Sequence, residues 1–355
     1  MKSLLRKLLS QSLLKKLKRT VDYSDDKIYP FFAKNAFMSS VYYCFFSTQF
    51  RREHQAVLQG RLQYQTSLNA IKSSSVLLRR NTHRLEKGLI MQPRRSVFAE
   101  NYIEETIDCF AKCLLSSELC AEELKWAQDV LVKYFEVTTR SIILDKARHR
   151  FERLTLKSFD TTNESLPYQH DKKIKSSITS ANLHDLFKQR RSVRWYEQKP
   201  VEFVLLSQAI EMAAQAPSAC NRQPFQFYAI TNMDKASEVA AIAMGTAGFS
   251  DNIPALVVVV GDLSAYSAER DRHVIYIDGG LASMQLMLAF ETLGLSSCPI
   301  NWPDIEICER KIAKQLNLAK HLRPIMLISV GYGDVSGQIP FSQKKGINTL
   351  IREIE

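Results

Sequence analysis

Two regimes of hydrophobic patterning divide the chain. From residue 51 to about 154, apolar positions recur at helical spacing, proline is nearly absent, and Leu, Glu, Lys, Arg and Ala dominate. That predicts helix almost throughout. Residues 156–180 lose the periodicity: Lys157, Ser158, Asp160, Thr161, Thr162, Asn163 and Glu164, then Asp171, Lys172 and Lys173, read as a linker. Beyond it helix and strand patterns alternate, with helices predicted over 182–189, 201–215, 234–244, 274–293 and 303–316 and strands over 225–231, 255–260 and 324–330. The unbroken β-branched run at 257–260 predicts a strand buried on both faces, so helices must cover both sides of its sheet. The expected architecture is α+β: a three-layer α/β/α sandwich over 181–355, preceded by a mainly helical extension over 1–155.

The first fifty residues carry two further patterns. Leu4, Leu5, Leu8, Leu9, Leu13 and Leu17 form a helical stripe, with Lys2, Arg6, Lys7, Lys15 and Lys16 largely off it. A basic amphipathic helix suits an anionic membrane surface; packing on the protein's own body, or a targeting role, fits the same pattern. Residues 30–50 are rich in Phe and Tyr, but Lys34 and Asn35 leave an uninterrupted run shorter than the roughly 20 residues of a membrane span. A buried helix or an interfacial patch is expected there. Farther on, Arg79, Arg80, His83, Arg84, Glu86 and Lys87 crowd in front of Gly88. They read either as a solvated helical face ending at Gly88 as its C-cap, or as an anion or substrate site.

Composition changes this picture only in part. The 355 residues are 45% hydrophobic, enough for a core, and carry a net charge of +11, which favours an acidic partner such as a phosphate cofactor, an anionic membrane surface or nucleic acid. No zinc-finger spacing, RNP-like aromatic pattern or helix-turn-helix signature accompanies the charge, which argues against nucleic acid. Seven cysteines, an odd number with no disulfide framework and no secretory signal, point to a reducing cytoplasm. Cys109, Cys113 and Cys120 share a helical spacing that could hold a metal, but no histidine is near and small buried residues explain it better, so no metal is expected.

The candidate chemistry lies in two stretches. Arg190-Arg191-Ser192-Val193-Arg194 offers three guanidinium groups and a hydroxyl in five residues, well suited to a phosphate. Pro217-Ser218-Ala219-Cys220-Asn221-Arg222-Gln223-Pro224-Phe225 combines small residues, a turn-forming proline and two side-chain amides. Such a loop lets backbone approach a flat ligand while amides bond its rim. Together they indicate a phosphorylated aromatic cofactor.

At this order and spacing the two motifs resemble the FMN-dependent nitroreductase family, over about residues 175–355. The resemblance implies the three-layer fold, FMN as cofactor and NAD(P)H as electron donor. It implies Arg190, Arg191 and Ser192 at the phosphate, with Lys344 and Lys345 as a C-terminal basic pair, where the family more often has arginine. Arg194 and Asn221 would meet the polar edge of the ring, and Pro217, Ser218, Ala219 and Gln223 would complete the loop. Ser296-Ser297-Cys298-Pro299-Ile300-Asn301-Trp302 resembles the segment whose backbone lies at flavin N5, giving Ile300, Asn301 and Trp302 backbone roles there, with Pro299 among the cofactor-binding residues. Asp278-Gly279-Gly280-Leu281-Ala282-Ser283 resembles the start of the family's dimer helix, although Met284-Gln285 replaces a common Gln-Asn pair. No side-chain nucleophile is implied, and Cys220 reads as a small neighbour of the flavin. The interval from Asp262 to Asp278 is short for the helical lid of many nitroreductases, so the N-terminal half is a candidate cover.

The reading is an FMN-dependent oxidoreductase that passes hydride from NAD(P)H through flavin N5 to an electron-poor, possibly anionic small molecule by a ping-pong scheme. A cytoplasmic homodimer is expected, peripheral to the inner face of the membrane if residues 1–50 touch it. Two alternatives stay open: a biosynthetic flavin oxidase or dehydrogenase that does not use NAD(P)H, and a membrane-associated scaffold that has lost turnover.

Overall fold

The computed structural model describes residues 28–159 and 163–354, so the basic helical pattern expected over 1–20 lies outside the described residues. The chain divides into two compact units, one ending at Gln55 and the other running from Ala56 to Glu355. In the first, α1 (Ala36–Phe45) starts where the Asn35 side chain accepts the Met38 N–H at 3.0 Å, and none of its residues is buried. The buried-helix alternative for this stretch therefore fails: Phe37 and Phe45 are both 75% exposed.

From residue 56 onward the fold has a helical part and a sheet part. Helix α2 (Arg51–Ser67) precedes α3 (Val76–Leu89), α4 (Ile103–Leu115), α5 (Ala121–Val137) and α6 (Ile142–Glu152). Each of α3 and α6 begins at a serine whose hydroxyl accepts an orphan amide, Ser75 from Leu78 and Ser141 from Leu144. The apolar stripes of α3 to α6 close one core around Leu78, Leu85, Ile107, Phe110, Leu131 and Tyr134. Gly88 lies inside α3, which is capped at Ile90, so Gly88 is not a C-cap. It is small for a packing reason: a Cβ there would come within 2.2 Å of the Phe98 ring. Cys109 and Cys113 are buried in α4, whereas Cys120 is exposed at the start of α5 and does not share their face.

Between the two parts, the described residues of 153–159 and 163–179 hold no helix beyond a single turn at His170–Lys172. Then come α7 (Ser180–Gln189), α8 (Phe203–Ala213), β1 (Phe225–Ile230), α9 (Met233–Ala240), β2 (Ala255–Asp262), α10 (Val274–Thr292), β3 (Ser296–Asn301), α11 (Glu306–Gln315), β4 (Leu322–Gly331) and the short α12 (Ile347–Leu350). The strands form one antiparallel sheet in the order β1-β2-β4-β3. Central β2 shows why three layers are needed. Leu256, Val258 and Val260 face a core with α9 and α11, while Ala255, Val257 and Val259 face α8 and α10. Each valine so buried contributes about 1.5–3 kcal/mol. Helix α10 sits close on the sheet because Gly279 is bare; a Cβ would lie 2.4 Å from Ile325 Cδ1. By length and composition Glu269–Thr292 could cross a membrane, but half of its apolar window is buried as core.

Strand β3 was not among the expected strands; residues 296–302 were read only as a segment approaching a ligand. Pro299 is accommodated because β3 is an edge strand, where a missing N–H costs no ladder bond.

Candidate active site

The loop between α8 and β1 is fixed from three sides. Ala219 N–H donates to Asp278 Oδ2 on α10 at 2.9 Å. Gln223 Nε2 donates to Ala214 O at the end of α8 at 2.7 Å, and Gln223 N–H to Ser218 Oγ at 3.0 Å. Arg79 of α3 donates through Nε to Asn221 O at 2.8 Å and through Nη2 to Gln223 Oε1 at 3.2 Å. Within this frame Cys220, Asn221 and Gln223 hold left-handed backbone, with φ of 53°, 51° and 49°. Such conformations cost about 1–2 kcal/mol each outside glycine and cluster at functional sites. The anchors use backbone groups and the Gln223 amide; among the described residues the Asn221 side-chain amide makes no hydrogen bond.

Buried polar groups continue behind the loop. Arg222 stacks on Tyr266 at 4.9 Å, and among the described residues neither Arg222 Nε nor the Tyr266 hydroxyl has a hydrogen-bond partner. Burial pushes the Asp278 carboxyl above its usual range, against the lowering effects of the Ala219 N–H and Arg222.

The arginine segment is built differently. Ser192 bridges Ser297 in parallel, and Val193 N–H donates to Ser297 O at 3.1 Å, so residues 190–194 lie alongside β3. The structure thus brings Ser192 and Arg194 beside Ser297 and Cys298 of β3, with Arg190 and Arg191 toward the end of α10. Arg194 reaches Ser192 O at 3.3 Å and lies 5.8 Å from the Phe249 ring centroid. Among the described residues the Arg190 and Arg191 side chains form no hydrogen bond or ion pair. The Ser297 hydroxyl is fully buried and has no hydrogen-bond partner among the described residues. Glu291, from the end of α10, faces Arg190, and its burial raises the carboxyl's pKa. The Trp302 side chain is committed to the fold, donating from Nε1 to Glu309 Oε1 at 2.8 Å.

The family model described as the Nitroreductase family matches residues 187–250 and 236–332. Residues 187–332 are a nitroreductase-family domain. A Bacillus subtilis relative, YodC, which carries an NAD(P)H nitroreductase designation, is 26% identical over 184 residues, covering 42% of this chain and 89% of its own. An iodotyrosine deiodinase of Thermotoga neapolitana is 28% identical over 179 residues, covering 43% of this chain and 89% of its own. A nitroreductase family protein of known structure from Streptococcus pneumoniae aligns with a TM-score of 0.42 and 23% identity, over 48% of this chain and all of its own.

Within the nitroreductase domain the two motifs occupy diagonally opposite corners of the sheet. The loop leads into Phe225, which pairs with Gly261, and Gly261 with Arg323. Ser192 lies outside Ser297, which pairs with Val330, and Val330 with Ala255. Four strand spacings across and six residues along, from Ala255 to Gly261, separate the Ser192 and Phe225 positions by roughly 28 Å. Lys344 and Lys345 are exposed on the tail and make no side-chain bond among the described residues. The tail's earlier part is tied down: Asp334 N–H donates to Trp195 O, and Tyr196 bridges Gly333.

Two contributors to the nitroreductase domain's loop were not expected from sequence. Arg79 is 142 positions from Asn221 and belongs to the helical part. Asp278 stood only as the first residue of a helix motif. Neither had a local signal; an arginine inside an amphipathic helix and a carboxylate near a helix start are ordinary features until the fold folds them onto the loop.

Proposed function

We propose that the chain is an FMN-dependent oxidoreductase acting as a homodimer, with NAD(P)H as donor and an electron-poor small molecule as acceptor. The observation that carries this is the pairing of a preorganised amide loop with an arginine segment in which, among the described residues, the Arg190 and Arg191 side chains form no hydrogen bond or ion pair. The donor set fits the group. Arg190, Arg191 and Ser192 offer charge and a hydroxyl to a phosphate, with Lys344 and Lys345 as further cations. Arg194 and the Asn221 amide suit the polar rim of the ring, with Pro217, Ser218, Ala219 and Gln223 shaping the loop beneath it. The backbone of Pro299, Ile300, Asn301 and Trp302 is the candidate wall at the reactive edge. When bound, FMN supplies hydride exchange at N5, which no side chain of this site supplies. The chain's work is to bind, orient and exclude water.

A separation of roughly 28 Å is longer than one mononucleotide would bridge, which supports a site completed by a second copy. Apolar surface supports the second copy: Ile277, Leu281 and Met284 of α10 are 60%, 45% and 39% exposed, and Phe203 and Met212 of α8 are exposed as well. In the reading proposed, the arginine segment of one subunit and the loop of its partner share each flavin. The aromatic surface of α1 with Lys34, Arg51 and Arg52 nearby suits contact with an anionic membrane from the cytoplasmic side.

A complementation experiment tests the shared site. One variant, Arg190→Ala with Arg194→Ala, breaks the phosphate end; another, Asn221→Ala with Gln223→Ala, breaks the loop. Each alone should bind FMN weakly, and the refolded mixture should regain tight binding at a fraction of sites. A mixture no better than its components would refute sharing. A wild-type chain that takes up no FMN would refute the cofactor.

A further inference from the structure

The loop that carries Asn221 is held by a residue outside the nitroreductase domain. Arg79 spreads its guanidinium across three partners: Nε to Asn221 O at 2.8 Å, Nη2 to Gln223 Oε1 at 3.2 Å, and Nη1 to Glu123 Oε2 at 3.0 Å. Its face lies 5.6 Å from the Trp126 ring centroid. Glu123 is 3% exposed at its side chain and is itself fixed, accepting from Ser75 N–H at 2.8 Å and Ser74 Oγ at 2.7 Å. The chain of contacts runs from the turn before α3, through the carboxylate of α5 and the guanidinium of α3, to the loop.

What Arg79 holds is the strained part. Of the four residues from Cys220 to Gln223, three are non-glycine residues with positive φ. A left-handed run relaxes unless its carbonyls and side chains are pinned, and Arg79 pins one carbonyl and one amide within it. Gln223 is read at both ends, its oxygen by Arg79 and its nitrogen by Ala214 O. That geometry leaves the Asn221 amide without a hydrogen-bond partner among the described residues.

We infer that Arg79, backed by Glu123, is a positioning residue of the cofactor site, and that the helical part is a built-in component of that site rather than an appended module. This rests on the flavin reading above for the identity of the ligand. The clamp itself is a property of the chain without ligand. Arg79 touches neither ring nor phosphate in this account; it sets where the Asn221 amide points, and so how tightly and in what environment a flavin ring is held.

The experiment uses the full chain. Removing Arg79 alone strands a buried Glu123 and can unfold the helical core, so the main variant is Arg79→Gln with Glu123→Gln. Arg79→Lys is the second variant: it keeps a charge for Glu123 but cannot fork to both loop partners. Val130→Ala is the control, loosening the same helical core without touching the loop. Two readouts are taken: hydrogen exchange of residues 216–225 without cofactor, and FMN affinity with the visible circular dichroism of the bound flavin. The account expects faster loop exchange, FMN binding weaker by about tenfold or more and an altered dichroism in the double variant, a smaller change in Arg79→Lys, and none in Val130→Ala. Unchanged loop exchange in the double variant overturns the clamp. Faster exchange with unchanged affinity and dichroism overturns its role at the cofactor. A wild-type chain that does not bind FMN removes the flavin reading, and the exchange result then decides the clamp on its own.

Discussion

The loop at 217–223 and the segment at 190–194 are the two halves of the candidate site, and they are prepared in opposite ways. The loop is bound on three sides by Asp278, Ala214 and Arg79, and stores left-handed backbone inside that frame. The arginine segment is fixed by its backbone beside β3, while among the described residues the Arg190 and Arg191 side chains form no hydrogen bond or ion pair. In the function proposed, the difference follows from what each would recognise. A flat ring edge is recognised by donors at set positions, so its loop is preorganised. A phosphate is recognised chiefly by charge, and flexible guanidinium groups can close on it after it arrives.

The largest expected effect separates binding from stability. Arg190→Ala with Arg194→Ala should weaken FMN binding on the order of 100-fold while changing the melting temperature of the cofactor-free chain little, because among the described residues these groups form no ion pair and Arg194 gives up only its 3.3 Å bond to Ser192 O and its contact with Phe249. Titration with FMN and a thermal melt check both. A large loss of stability instead would make the segment structural and erase the contrast.

Next in size is Gly60→Ala. Gly60 of α2 packs on the turn after β2, where a Cβ would lie 2.7 Å from Leu263 O, a backbone atom that cannot step aside. Denaturant unfolding should show a loss of about 1–3 kcal/mol, as overpacking does. The helical part covers the 263–265 turn through this contact, so the variant should also speed hydrogen exchange there.

Cys220→Gly should act with the opposite sign. At φ 53° glycine avoids the Cβ penalty, and the cofactor-free chain should gain about 1 kcal/mol in the same unfolding measurement. A loss would mean the Cys220 side chain contributes more packing than its backbone costs.

The smallest effect concerns pH. Burial raises the Asp278 pKa above its ordinary 3.8, so the folded chain binds that proton more tightly than the unfolded chain. Its contribution to stability is present below the ordinary value and is lost as pH rises through the raised one. Asp278→Asn keeps an oxygen for the Ala219 N–H and removes the buried charge. The melting temperature at neutral pH should rise on the order of 2 °C, and the gap from wild type should close on acidification.

Much of the sheet part was legible because its signals are local. The run at 255–260 announces a doubly buried strand, and the β1 and β4 strands follow from apolar runs near their observed bounds. Strand β3 escaped because Ser296, Ser297 and Pro299 read as loop, and only the edge position makes that composition workable. The loop and arginine motifs were visible as residue types, yet nothing local showed that they occupy opposite corners. The cluster at 77–89 resisted a one-dimensional reading for the same reason. Its charges turn inward to Glu123, Trp126 and Tyr102 and to the loop, partners set by tertiary packing alone.

The most direct test of the central claim is the visible absorbance spectrum of the purified full chain after incubation with FMN, followed by anaerobic addition of NADH or NADPH. The account predicts flavin bands at one equivalent per chain that bleach when the nucleotide is added. A chain that stays colourless after reconstitution would contradict it, and a coloured chain that neither nucleotide bleaches would contradict the assignment of NAD(P)H as donor.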